Sequence, residues 1–339
     1  MRLLLQIPST IGTDTKMKRQ NLPSVAAAAI IWLVCFTLFV GPVDSLSASP
    51  PSTARPSAVS FRSPLLCDGY PPAVAEYPSA KPLLLYLPGF DGTLVAPFLQ
   101  FPELGTVFDV RGMLVEMSDR STFAELVEGV LEYLEKEIRG REVYLAGESF
   151  GGILACAVAS SMEADPLRSD PAGLILINPA TSYPRSVLAE KGPAVASLPQ
   201  PLYLFGVASL LPLFADEYQL PQLIQIISSA GLPGVVDTPQ REAYMGRVAL
   251  SLTSRLRFMP RGTLRWRLEE WLRVGSEEAV TDAALSVLRA PALIVAGEAD
   301  ATLPSAEEAA RLAGLMGADV HLVDGAGHAA TCGSRVRVY

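Results

Sequence analysis

From about residue 80 onward, short apolar runs alternate with amphipathic stretches. Pro82–Leu87 (P-L-L-L-Y-L) is apolar throughout and stops at Pro88-Gly89, the pattern of a strand buried on both faces. Further strands are predicted at Thr106–Val110, Glu142–Ala146, Gly173–Ile177, Ala292–Ala296 and Asp319–Val323. Between the first and second of these the period changes. Phe123, Leu126, Val127, Val130, Leu131 and Leu134 recur at three and four, which predicts a helix over Thr122–Ile138. Thr122 and Glu125 form a capping box at its start. Helices are also predicted over about Gly151–Ser161 and over Ala306–Met316, the second with a Ser305/Glu308 capping box. Short strands alternating with helices argue for an α/β class fold, a mostly parallel sheet with helices on both faces.

Between Tyr183 and Ala290 this alternation breaks. Pro199–Phe214 and Leu220–Ile227 are rich in Leu, Pro and aromatics and carry no strand signature. Two readings stand: a helical lid inserted at about 184–290 over an apolar cavity, or a set of core helices. The insertion falls between strands of one sheet, so it need not be an independent domain.

The front of the chain has a different character. Lys16, Lys18 and Arg19 precede an uncharged run from Val25 to Val40, and small residues follow at Ser45–Ser49. Positive, apolar, small is the layout of a signal peptide, here over 17–48. A retained anchor is the alternative, although sixteen residues at 1.5 Å each span only about 24 Å of a ~30 Å hydrocarbon core. Residues 49–66 are rich in Ser and Pro, contain Arg55 and Arg62 and lack acids, as transit peptides do; a flexible linker is the plainer reading. Residues 1–66 hold six bases against two acids, net +4, which leaves −12 on the remainder. A basic leader on an acidic body predicts a targeting presequence over 1–66, a folded domain over 67–332 and a short tail at 333–339.

Composition narrows the function classes. Of 339 residues, 50% are hydrophobic and 18% charged, which excludes a disordered chain, a coiled coil and a collagen-like fibre. A net charge of −8 gives no footprint for nucleic acid. Cys35, Cys67, Cys156 and Cys332 are widely separated and form no C-x-x-C pair, so neither a zinc site nor a disulfide framework is expected. No metal or organic cofactor is implied. Histidine chemistry has two candidates, His321 and His328.

Gly147-Glu148-Ser149-Phe150-Gly151 is a G-x-S-x-G sequence between a predicted strand and a predicted helix. In that setting a sharp turn forces the serine into a strained conformation and lifts its hydroxyl above the sheet. The helix N-terminus beneath supplies unpaired N–H groups and partial positive charge, both suited to an oxyanion. A serine hydroxyl needs a base. His328 follows the last predicted strand in Gly325-Ala326-Gly327-His328, whereas His321 lies within that strand, where a structural role is expected. The base needs an acid to fix its tautomer. Asp300 follows the strand Ala292–Ala296 and is the preferred partner, with Glu298 and Asp324 as rivals. The N–H of Phe150 is expected to donate to the oxyanion, with a second donor from Pro88-Gly89-Phe90-Asp91-Gly92-Thr93. There Phe90 is favoured over Asp91.

Taken in order, L-P-G-F-D-G-T (Leu87–Thr93), G-E-S-F-G-G (Gly147–Gly152), I-N-P-A-T-S-Y (Ile177–Tyr183) and L-P-Q-P-L-Y-L (Leu198–Leu204) resemble the plastid phytyl ester synthase family of α/β-hydrolases. A-G-E-A-D…L-P-S…E-E (Ala296–Glu308) and G-A-G-H (Gly325–His328) extend the resemblance to residues 80–328. It implies an α/β-hydrolase fold with Ser149, Asp300 and His328 as the triad. It also implies transfer of acyl groups from an acyl-lipid or acyl-thioester donor to phytol, diacylglycerol or another lipophilic alcohol, or to water, in chloroplasts, with access at a membrane surface. Members of the family continue into an acyltransferase-like region with an H-x-x-x-x-D sequence. Here the chain stops eleven residues after His328, so 333–339 read as a truncated end. Two other classes remain: a non-catalytic binder of lipophilic ligands on the same scaffold, and a plain soluble carboxylesterase or thioesterase.

Overall fold

The computed structural model describes residues 59–67, 81–138, 140–214, 243–244, 246–248 and 259–332. Seven strands form one sheet: β1 (Val59–Arg62), β2 (Leu83–Leu87), β3 (Asp109–Val115), β4 (Val143–Glu148), β5 (Gly173–Ile177), β6 (Ala292–Gly297) and β7 (Asp319–Val323). Their order across the sheet is β1-β3-β2-β4-β5-β6-β7. β1 runs antiparallel to β3 and every other neighbouring pair is parallel. This is the α/β-hydrolase architecture that the sequence predicts. L-L-L-Y-L in β2 and G-L-I-L-I in β5 are buried at every position, as central parallel strands covered on both sides must be.

The helices divide between the two faces. On one, Leu83, Leu85, Leu145, Leu176 and Ile294 pack against α2 (Phe123–Glu137), α3 (Phe150–Ala164) and α8 (Ser305–Met316). On the other, Leu84, Tyr86, Val110, Ile175 and Val295 meet α1 (Phe101–Val107) and the turn before it. α2 starts at the predicted Thr122/Glu125 capping box, with both reciprocal bonds present.

Three expectations are corrected. Thr106 and Val107 end helix α1, and the strand begins only at Asp109. α8 has no capping box: Pro304 stands at its N-cap, and Ser305 and Glu308 bond elsewhere. The boundary expected at residue 67 is too late, because β1 pairs Val59 with Val115 and Arg62 with Gly112, inside the stretch expected as transit-like.

Between β5 and β6 lie α4 (Val187–Ser197), α5 (Gln200–Phe214), α6 (Arg261–Trp266), a π-helical stretch (Arg267–Ala279) and α7 (Asp282–Ser286). Leu264, Leu268, Trp271 and Leu272 are buried in the same core as α3, so this part of the insertion is not a separate body. The predicted apolar stretches Val25–Val40 and Leu220–Ile227, and the tail 333–339, lie outside the described residues. Among the described residues, no helix is long and apolar enough to cross a membrane.

Candidate active site

β4 leads directly into α3 through Ser149, which adopts φ 55° and ψ −115°. A side chain there is forced into the left-handed half of the map, the strain expected of a nucleophile elbow. The glycines on either side make the bend possible. A Cβ on Gly147 would stand 2.1 Å from the Gly151 carbonyl oxygen, and one on Gly151 would stand 2.1 Å from that of Leu87. No side chain fits at either place, so the start of α3 closes tightly on the ends of β2 and β4.

The three predicted triad residues come together from three loops at the carboxyl edge of the sheet. His328 Nε2 lies 3.0 Å from Ser149 Oγ, and His328 Nδ1 lies 2.8 Å from Asp300 Oδ2. With the proton on Nδ1, the imidazole donates to Asp300 and accepts from the serine hydroxyl. Asp300 is anchored in turn: the Thr302 and Leu303 N–H groups donate to Oδ1 at 2.8 and 3.1 Å, and Ser305 Oγ donates to Oδ2 at 2.5 Å. Burial alone pushes this carboxyl up, but the facing His328 and these donors prevail and hold it below the ordinary aspartate range. Ser305, expected to cap a helix, therefore serves the acid. The rivals Glu298 and Asp324 are exposed, and His321 sits half-buried within β7.

The loop after β2 lies against the elbow. Gly92 N–H donates to the Gly89 carbonyl at 2.9 Å, and a Cβ on Gly89 would reach 3.9 Å from the Glu148 carbonyl. Gly89 thus stands next to the residue that precedes the serine, and Phe90 and Asp91 follow it in the turn. Phe150 is the first residue of α3, where helix geometry leaves the N–H without an intrahelical acceptor. Its ring stacks on Trp271 at 4.8 Å and 19°.

Four residues around the triad escaped the sequence reading. Asn178, the residue after β5, is fully buried at φ 40°. Its side-chain NH₂ donates to the carbonyls of His328 at 2.6 Å and Gly327 at 3.2 Å, and its Oδ1 accepts from Gly297 N–H at 2.8 Å. Arg267, also fully buried, donates to the Phe90 carbonyl at 2.7 Å and to the Glu116 carbonyl at 2.8 Å, with its guanidinium 4.2 Å over the Trp271 ring. Burial draws its pKa down to about 10, so it stays charged at neutral pH beside Asp91. Glu148 and Thr331 meet behind the histidine: Thr331 Oγ1 lies 3.0 and 2.9 Å from the two carboxyl oxygens. A non-glycine residue immediately after a strand in I-N-P was the available signal for Asn178. For Arg267, 177 positions from its partner, no local signal exists.

Other buried polar groups serve the frame. Glu308, fully buried, accepts from Thr181 at 2.5 Å, Arg185 at 2.6 Å and Arg311 at 2.5 Å, tying the turn after β5 to α8. Cys156 is buried in α3, and burial pushes its thiol up to about 12, which leaves it inert. Among the described residues, no group of three or more His, Cys, Asp or Glu is placed to hold a metal ion.

Comparison with known proteins agrees with this fold. The sequence profile described as alpha/beta hydrolase family matches residues 84–333. Phytyl ester synthase 1, chloroplastic, of Arabidopsis thaliana is 35% identical over 239 residues, covering 69% of this chain and 32% of that protein. Phytyl ester synthase 2, chloroplastic, of the same plant is 32% identical over 212 residues, covering 56% and 27%. The chain thus spans about a third or less of the length of these curated relatives. Carboxylesterase CesB from Bacillus subtilis superposes with a TM-score of 0.51 at 15% identity, covering 76% of this chain and 80% of that one. The enol-lactonase from Burkholderia xenovorans LB400 gives 0.51 at 14%, covering 74% and 85%. At such identities the likeness is one of fold.

Proposed function

The chain belongs to the alpha/beta hydrolase family, and on that premise we propose that it is a serine-dependent enzyme that cleaves lipid acyl esters and passes the acyl group to an acceptor. The observation that carries this reading is the unbroken line Ser149 Oγ–His328 Nε2 at 3.0 Å and His328 Nδ1–Asp300 Oδ2 at 2.8 Å. A binder without catalysis would have no use for that alignment.

In this mechanism His328 takes the Ser149 proton as Oγ attacks the acyl carbonyl. The imidazolium that forms is stabilised by Asp300, already ionised and held by three donors. The tetrahedral oxygen is met by the N–H groups of Phe150 and Phe90, which act as preorganised dipoles. His328 returns its proton to the departing alcohol or thiol and leaves an acyl-Ser149 ester. His328 then deprotonates the acceptor, which attacks that ester and releases Ser149.

The acceptor in this proposal is a lipophilic alcohol of the phytol type, with water as the competing acceptor. The names of the two Arabidopsis relatives support that choice. So does the apolar insertion, whose exclusion of water would favour transfer. The same names, and the five bases against two acids in residues 1–58, support a plastid location.

The test has two arms. Wild-type protein is expected to be labelled by a fluorophosphonate probe and S149A is not; labelling or turnover undiminished in S149A refutes the serine role. Mass spectrometry of products formed from acyl-lipids, with and without phytol, then separates transfer from hydrolysis. Free fatty acid alone in both samples would refute the acceptor assignment.

A further inference from the structure

The residue just before the nucleophile has its own set of partners. Glu148 ends β4 with only 4% of its surface exposed. Its carboxyl accepts from Tyr86 Oη at 2.9 Å and lies 3.0 and 2.9 Å from Thr331 Oγ1. Thr331 stands three residues beyond His328, and its own carbonyl accepts from Gln100 Nε2 at 3.1 Å. The chain that carries the base is thus fastened on both sides, by Asn178 at His328 itself and by Glu148 just past it. The nucleophile and its base are joined through one buried carboxyl, because Ser149 is the next residue.

We propose that Glu148 is a positioning residue for the Ser149–His328 pair: its carboxyl holds the loop of the base against the elbow, and its ionised form adds a second negative charge beside the imidazolium of acyl transfer. The proposal rests on the serine-hydrolase reading above and deepens it.

The surroundings give this carboxyl two accessible states. Burial pushes it up most, Thr331, Tyr86 and His328 pull it back, Asp91 pushes it up slightly, and the result is about 7. The groups that bear on it are Tyr86 from β2, Asp91 from the loop after β2, and Thr331 and His328 from the last loop. Tyr86 is itself raised well above 10 by burial and by Glu148, so it remains a neutral donor. Asp91 is already engaged by Thr93. Of the groups that bear on an ionised Glu148, the His328 imidazolium is therefore the charge of opposite sign. A purely structural carboxyl would affect the rate equally at every pH, whereas a charge acting on the transition state affects it only where it is ionised.

The experiment compares wild type with E148Q, T331V and T331S on a short p-nitrophenyl ester, with kcat and KM followed from about pH 5.5 to about 9. Gln keeps an oxygen that accepts from Thr331 and Tyr86 and removes only the charge. The wild-type to E148Q ratio of kcat is expected to be small at the acid end and to grow through pH 7 to about ten-fold, the scale of one buried charge-assisted interaction, with KM unchanged. T331V is expected to lower kcat at all pH values and T331S to restore it. A ratio that stays flat with pH overturns the charge role, and T331V turning over like wild type overturns the positioning role. Should E148Q fail to fold, the T331V and T331S pair still decides whether the tether matters. Fluorophosphonate labelling separates this proposal from its premise. Absence of labelling in wild type sinks the serine-hydrolase reading, whereas labelling of E148Q at the wild-type rate above pH 7 sinks only the role of Glu148.

Discussion

The side-chain amide of Asn178 donates to the main-chain carbonyl of His328 at 2.6 Å. Asn178 follows β5, the strand between those that lead to Ser149 and Asp300, and its Oδ1 also receives the Gly297 N–H where β6 ends. One amide therefore fixes the height of the base relative to the sheet. In N178A, two carbonyls and one N–H lose their buried partner, and alanine must occupy φ 40°. The expected cost is about 2–3 kcal/mol of stability, read by thermal or chemical unfolding, with a fall in kcat larger than any change in KM. An unfolding midpoint equal to wild type would show that the amide carries no such burden.

Arg267 reaches from the insertion to the loop after β2. Its two η nitrogens hold the Phe90 and Glu116 carbonyls, while its plane stacks on Trp271. Lysine cannot reproduce that fork. R267K and R267M are both expected to reduce kcat about ten-fold or more, the scale of a misplaced oxyanion donor, with labelling of Ser149 slowed in parallel. R267K at wild-type rate would show that the position of Phe90 does not depend on the guanidinium.

Asp300 is held below the ordinary aspartate range, with burial opposed by His328 and its other donors. A depressed carboxyl contributes stability above its unfolded pKa and loses it as pH falls through the folded one. Wild type is therefore expected to keep this contribution through mild acid and lose it only at pH below the usual aspartate titration. D300N presents an amide to Nδ1 and favours the wrong tautomer. It is expected to lower kcat by roughly 10³–10⁴-fold in steady-state assays while leaving the protein folded.

Glu148 has the opposite sign. Its folded pKa of about 7 lies above the ordinary glutamate value, so the folded state binds more protons than the unfolded state between the two. The stability it contributes is complete below the unfolded pKa and is lost as pH rises through about 7. E148Q does not ionise, so it is expected to be about 2–3 kcal/mol less sensitive to alkaline pH than wild type, measured by urea unfolding at about pH 5 and about pH 8. Parallel pH profiles for the two proteins would contradict this.

The framework was legible where chemistry and pattern coincide. G-E-S-F-G announces its bend because no side chain fits at Gly147 or Gly151, and β2 and β5 are apolar without interruption because both faces are covered. β3 was less legible. Gly112 interrupts D-V-R-G-M-L-V because the Leu94 side chain lies over it, with a Cβ there only 2.3 Å from Leu94 Cδ1. That packing joins distant residues and leaves no local trace. Ser305 and Glu308 have the spacing of a cap, but tertiary partners claimed both. The order Ser149, Asp300, His328 pointed to three side chains that meet, whereas Asn178 and Arg267 act on partners 150 and 177 positions away.

Ser149, Asn178, Asp300 and His328 issue from β4, β5, β6 and the segment after β7, four consecutive places in the sheet. The reacting line therefore runs crosswise over the strand tips, and its length is counted in interstrand steps of about 4.8 Å set by the main-chain ladder. The connecting segments above it can change in length or composition, and with them the molecules admitted, without altering the ruler along which proton transfer is measured.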